Sequence, residues 1–267
     1  MPPSSPCPDL DGVTALVVGG TGKVGFFAVD GLLRAGADVL VPVRDAVKFD
    51  RLRSRLAPCM LGRLVGIPGD LGTPEGVEAV VEQAEARTFG GLDAVVSALA
   101  TWHQGMPVLT GGFETFRSVV EATLYPHFLV AEFLVPSLKC GGSYTTISGS
   151  AGFANAVRAR SGALAATTAA RNRLTLAIAD QTEGDPRVND VVMWAYPDAD
   201  GSCPGSSLKG REIGDFLAWL ASREADGVHG RTIHLRTPGQ VCRALNGVSR
   251  PEDLAQRGLI GAGGPAD

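Results

Sequence analysis

The chain has 267 residues, 45% of them apolar and 19% charged, with a formal net charge of −4; this suits one globular domain near the upper limit of a single core. The mildly acidic balance, with Lys and Arg scattered, gives no electrostatic reason to expect nucleic acid or an anionic membrane as partner, and no segment approaches the ~20 apolar residues of a membrane span. Five widely spaced cysteines, Cys7, Cys59, Cys140, Cys203 and Cys242, form no CxxC or Cys/His cluster. Neither a disulfide framework nor a metal site is expected, and a cytoplasmic protein acting on a small molecule is.

Residues 1–8, rich in Pro and Ser, read as a flexible tail. From residue 9, apolar runs at 13–18, 38–43, 64–68, 92–97, 142–147, 187–193 and 232–235 predict strands separated by amphipathic stretches. That alternation predicts an α/β fold, a Rossmann-type doubly wound parallel sheet in a single domain over 9–236. Helical spacing of Phe116, Val120, Leu124, Phe128 and Leu134 predicts one long helix over 113–138, and an Ala- and Leu-rich stretch predicts another over 161–180. Residues 237–267 read as a C-terminal arm, in which Ser249-Arg250-Pro251-Glu252 has capping-box spacing.

The first strand runs into Gly19-Gly20-Thr21-Gly22-Lys23-Val24-Gly25 and then a helical pattern. In that context the glycines serve a tight turn, close approach of backbone to a pyrophosphate, and close packing of helix on strand. The second strand ends Val43-Arg44, with Val43 where an acid would bind a ribose 2′-hydroxyl. Arg44 and Lys23 are therefore expected to meet a 2′-phosphate, so that NADP(H) is preferred over NAD(H).

With these residues in view, the chain resembles the short-chain dehydrogenase/reductase family from Asp11 to about Leu235. Asp70-Leu71 is similar to the family's adenine-contacting station after the third strand. Ser97-Ala98-Leu99-Ala100 stands at the end of its fourth strand, Val188-Asn189 opens its sixth, and 230–235 resembles its closing strand. The resemblance implies that Gly19, Thr21, Gly22, Lys23, Val24, Gly25, Arg44, Asp70, Leu71 and Ala98 hold the cofactor. It also implies a homodimer or homotetramer paired through the two long helices.

The family's chemistry uses a Tyr acid/base, a Lys four residues later, a Ser and a supporting Asn. The three tyrosines here, Tyr125, Tyr144 and Tyr196, are followed at that spacing by Leu129, Ser148 and Asp200, so no Tyr-x-x-x-Lys exists. The resemblance puts Leu164 at the Tyr station, Thr168 at the Lys station, Gly149 near the Ser station and Thr123 at the Asn station. Met193-Trp194 replaces the Pro-Gly that follows the sixth strand.

Other candidates for catalysis are His103, suited to proton transfer by its near-neutral pKa, with Ser148 and Tyr196 at strand ends facing the expected pocket. Trp102, Gln104, Asn155, Arg158, Arg160, Asp198 and Asp200 lie in the same loops. Three functions fit: an atypical NADPH-dependent oxidoreductase; a dehydratase, cyclase or isomerase retaining the nucleotide structurally; or a non-catalytic cofactor-sensing or partner subunit.

Overall fold

The computed structural model describes residues 8–88, 90–99, 105–154 and 157–247. Seven strands form: β1 Thr14–Val18, β2 Asp38–Val43, β3 Leu64–Pro68, β4 Leu92–Ser97, β5 Leu138–Gly149, β6 Arg187–Met193 and β7 Arg231–Leu235. All pair in parallel in the order β3-β2-β1-β4-β5-β6-β7. Near-continuous Val, Leu and Ala runs suit such strands because helices cover both faces of the sheet.

One face packs on α1 Lys23–Arg34, α2 Ala46–Ser54, α7 Gly210–Ala221 and α8 Pro238–Leu245, around Val17, Val41, Val96, Met193, Phe216 and Leu217. Helices α1 and α7 cross backbone to backbone, since a Cβ on Gly31 would overlap the main chain of Gly214. The other face packs on α3 Pro74–Glu85, α5 Tyr125–Leu134 and α6 Gly162–Thr182, around Leu16, Val18, Leu40, Val95, Tyr144 and Val188. Helix α4 Val108–Thr123 lies against α5 and α6. Among the described residues no helix is long and apolar enough to cross a membrane.

The single helix expected over 113–138 is two helices, α4 and α5, with Leu124 between them. Pro126, in the first turn of α5, has no N–H to donate to the preceding turn, which interrupts the backbone ladder there. Helix α4 also starts earlier than expected, with a kink at Gly112, whose φ is 74°. At its other end the stretch gives way to β5, which begins at Leu138.

The arm begins with α8, whose Val241, Ala244 and Leu245 are buried in the first core. Thr237 and Gln240 supply its capping box and Pro238 its first turn. The Ser249 capping-box segment lies outside the described residues.

Candidate functional site

The glycine loop turns tightly after β1. Gly19 has φ of 74°, and a Cβ there would sit 2.8 Å from the Ala98 carbonyl oxygen. The Ala98 N–H meanwhile donates to the Val18 carbonyl at 2.9 Å, tying the ends of β1 and β4 together. Gly22 N–H donates to the Gly19 carbonyl at 2.9 Å, and a Cβ on Gly25 would overlap that carbonyl, so α1 starts flush against the turn.

Gly22 caps α1 in extended conformation without a side-chain acceptor, and no acid occupies the first turn. The first bond closing the helix runs from Phe26 N–H to the Gly22 carbonyl at 2.9 Å, which leaves the N–H groups of Lys23, Val24 and Gly25 at the helix end. This is a seat for an anion.

Beside it opens a cleft of about 520 Å³, lined by Gly19, Thr21, Arg44, Asp70, Leu71 and Leu99 among others. Five of the ten expected cofactor residues line the cleft, Gly19, Thr21, Arg44, Asp70 and Leu71, and Gly22 and Gly25 shape the turn beside it. Ala98 abuts the turn through its backbone, and the Val24 side chain packs into the core instead. Arg44 pairs with Asp70 at 3.5 Å, both exposed.

The Lys23 side chain points away from the cleft. Its ammonium lies 3.7 Å from Asp198, in the segment after β6, and it is absent from the cleft lining. Lys48, on the first turns of α2, lines the cleft beside Arg44, and among the described residues no carboxylate lies within ion-pair distance of it. Its signal was the spacing Arg44-x-x-x-Lys48, which puts a second cation on the helix that follows the strand end.

At the other end of the cradle the sheet turns polar. On the α6 side, Ser97 and Ser148 near the carboxyl ends of β4 and β5 stand with Thr146 and with Asp190 in the middle of β6, Ser97 opposite Thr146 and Thr146 opposite Asp190 in register. Thr146 and Ser148 both donate to Asp190 Oδ1 at 2.8 Å, and Asn172 Nδ2 donates to Oδ2 at 2.7 Å and to Thr232 Oγ1 at 2.9 Å. Burial pushes the Asp190 carboxyl up, opposed by these three donors and by the Arg171 guanidinium. Arg171, itself buried, donates through Nη2 to the Ile147 carbonyl at 3.1 Å.

Ser148 is buried beside them. Strand alternation turns it with Thr146 into this cluster, and its proton is committed to Asp190. Tyr196 behaves differently. Its ring is partly exposed, its hydroxyl lies over Gly149 where a Cβ would collide with it, and Ser150 N–H faces the oxygen.

His103, Trp102, Gln104 and Asn155 lie outside the described residues. Arg160 donates to the Gly105 carbonyl at 2.9 Å, Arg158 is exposed, and Asp200 accepts from Ser202. Trp194 Nε1 donates to His234 Nδ1 at 2.9 Å beneath the Arg236 guanidinium, so it stiffens the ends of β6 and β7.

A family profile described as short chain dehydrogenase matches residues 13–192. The chain belongs to the short-chain dehydrogenase family. Its curated relatives include a short-chain dehydrogenase/reductase, iacG, of Pestalotiopsis fici, 29% identical over 142 residues, which are 52% of this chain and 56% of that protein. Another is a 2,5-dichloro-2,5-cyclohexadiene-1,4-diol dehydrogenase of Sphingobium indicum, 28% identical over 149 residues, 56% of this chain and 58% of that protein. The chain thus spans little more than half the length of these relatives.

Among solved structures, RhlG of Pseudomonas aeruginosa in an NADP active-site complex aligns with a TM-score of 0.73 at 21% identity, covering 89% of this chain and 100% of that one. A dehydrogenase/reductase of Sinorhizobium meliloti aligns with a TM-score of 0.73 at 24% identity, covering 85% and 94%. These likenesses establish the seven-stranded α/β fold. The short-chain dehydrogenases are oxidoreductases that bind a nicotinamide cofactor, and the profile match here stops at Val192, just before the segment that carries Trp194 and Tyr196.

At the two positions where the resemblance led us to expect the family's Lys and Asn stations, the hydroxyls turn back on their own helices. Thr168 donates to the Leu164 carbonyl at 2.7 Å and Thr123 to the Val119 carbonyl at 2.6 Å. Asp190, Arg171 and Asn172 were missed as buried groups. The available signal was a carboxylate inside the otherwise apolar run of β6, which a fully covered sheet tolerates only with partners on the helix above it.

Proposed function

We propose that this chain is an NADP(H)-dependent oxidoreductase acting on a small organic substrate without the family's Tyr/Lys pair. The reading is carried by Arg44 and Lys48 standing together at the cleft beside the N-terminus of α1. There the helix end would receive the pyrophosphate, Asp70 and Leu71 would border the adenosine, and the two cations would meet a 2′-phosphate. When bound, the dinucleotide supplies or accepts the hydride. The protein supplies the orientation of the substrate beyond the carboxyl ends of β4, β5 and β6. The same reading takes the protein as cytoplasmic and as a homodimer or homotetramer.

NADPH is expected to bind about tenfold more tightly than NADH, equivalent to ~1.4 kcal/mol. Fluorescence titration checks this. Arg44→Ala with Lys48→Ala should erase the preference while leaving NADH binding in place, and equal affinities in the parent would defeat the NADP assignment.

A further inference from the structure

The resemblance puts Leu164 and Thr168 at the family's Tyr and Lys stations, so an acid for a carbonyl substrate has to come from elsewhere in the chain. The space over Gly149 is filled from the segment after β6 by the hydroxyl of Tyr196. Ser150 N–H faces that oxygen, while the O–H itself has no acceptor among the described residues. A donor with a held oxygen and an uncommitted proton is suited to a substrate oxygen.

Beneath it lies a fixed cation. Arg171 reaches from α6 to the Ile147 carbonyl, two residues before Gly149 on the same strand, and its field acts on Tyr196. The guanidinium is buried, and one of its nitrogens, Nε, is without a partner. The other groups around it are Asp190, which balances its charge, the neutral Tyr144, and His127. On the Tyr196 side the nearby charges of the loop are Asp198, engaged with Lys23, and Asp200, engaged with Ser202.

We infer that Tyr196 is the hydrogen-bond and proton donor to a substrate carbonyl oxygen, and that Arg171 is the positioning residue whose charge supports the resulting phenolate. This rests on the redox reading above and narrows the substrate to a carbonyl compound or conjugated enone. In carbonyl reduction, the carbonyl carbon gains a hydride from the reduced nicotinamide and the C=O π pair moves to oxygen. That oxygen takes the Tyr196 proton, the phenolate recovers a proton from water, and the products are an alcohol and the oxidised nicotinamide. A phenol is protonated near neutrality at its ordinary value, and desolvation raises Tyr196 further, opposed first by Arg171 and then by Ser150 N–H. The resting group is thus the acid form that reduction requires.

Two measurements test this. Fluorotyrosine placed at 196 in the cofactor-free protein reports its ionisation by fluorine NMR at pH values milder than tyrosine needs. Its titration should rise by about one pH unit in Arg171→Met combined with Asp190→Asn, which removes both buried charges together, and return in Arg171→Lys. An unchanged titration in the double variant would overturn the role of Arg171.

With NADPH and phenanthrenequinone or cyclohexenone as probes, Tyr196→Phe should lower kcat about a hundredfold at unchanged NADPH affinity. Full activity in Tyr196→Phe would overturn the donor assignment alone. No NADPH oxidation by the unmodified protein with either probe would instead overturn the redox reading beneath it.

Discussion

His127 shows how one buried side chain sets a pH dependence. It is fully buried on α5, with Nε2 at 3.2 Å from Thr175 Oγ1, and burial first and Arg171 second lower its pKa to about 3. An unfolded histidine takes a proton near pH 6.5, so the depressed value in the fold means that stability is fully present above about pH 6.5 and lost as pH falls from there toward about 3. His127→Gln can keep the contact to Thr175 without titrating. The parent should lose up to about 1.4 kcal/mol per pH unit relative to this variant below pH ~6, measured by urea denaturation at several pH values. Parallel curves for the two proteins would contradict the assignment.

At this scale the sequence was legible where a residue's role is set by its own backbone. Gly19 and Gly25 needed no neighbours to be recognised. Ser148 and Lys23 did need them, because a serine at a strand end or a lysine in a loop has no local signature of which way it will turn. The direction came from Asp190 and Asp198, distant in the chain.

Among the elements, the strands were the easiest to foresee, since a parallel strand covered on both faces must be apolar along its length. Six of the expected runs match the observed strands to within a residue, and β5 is longer at both ends: its first residues, Leu138 to Gly141, lack the apolar pattern, and it runs on through Ser148 and Gly149. The helices were harder. The apolar spacing continues through Leu124 although the backbone ladder does not, so periodicity alone joined α4 to α5.

The α1–α7 crossing is also an element-scale feature, and it makes a firm prediction. A Cβ at Gly31 meets the backbone of Gly214, which cannot yield by rotating a side chain. Gly31→Ala should destabilise by about 1–3 kcal/mol, despite alanine's better helix propensity, read as a lowered Tm. A neutral or stabilising result would mean that the two helices do not touch as described.

For the whole molecule, the outer side of α4 and α5 carries an aromatic stripe that none of the described elements covers. Leu109 is 94% exposed and Phe113 72%, and Phe116, Tyr125 and Phe128 are exposed near them. A monomer seldom leaves such a surface to water, and the homo-oligomer proposed above would cover it with the same stripe of a second copy about a two-fold axis. Phe113→Glu with Phe128→Lys should halve the mass measured by light scattering at micromolar concentration. A monomeric parent would refute the assembly.

The buried guanidinium of Arg171 also bears on what this protein can become. Thr168 and Arg171 are three residues apart and both buried on the sheet side of α6, so they are neighbours on one helical face. A lysine introduced at 168 would bring a second cation to a cluster that has Asp190 as its buried carboxylate, and like charges there repel with little water to screen them. Thr168→Lys alone therefore loads the fold with that repulsion, and the same change in an Arg171→Met background is free of it.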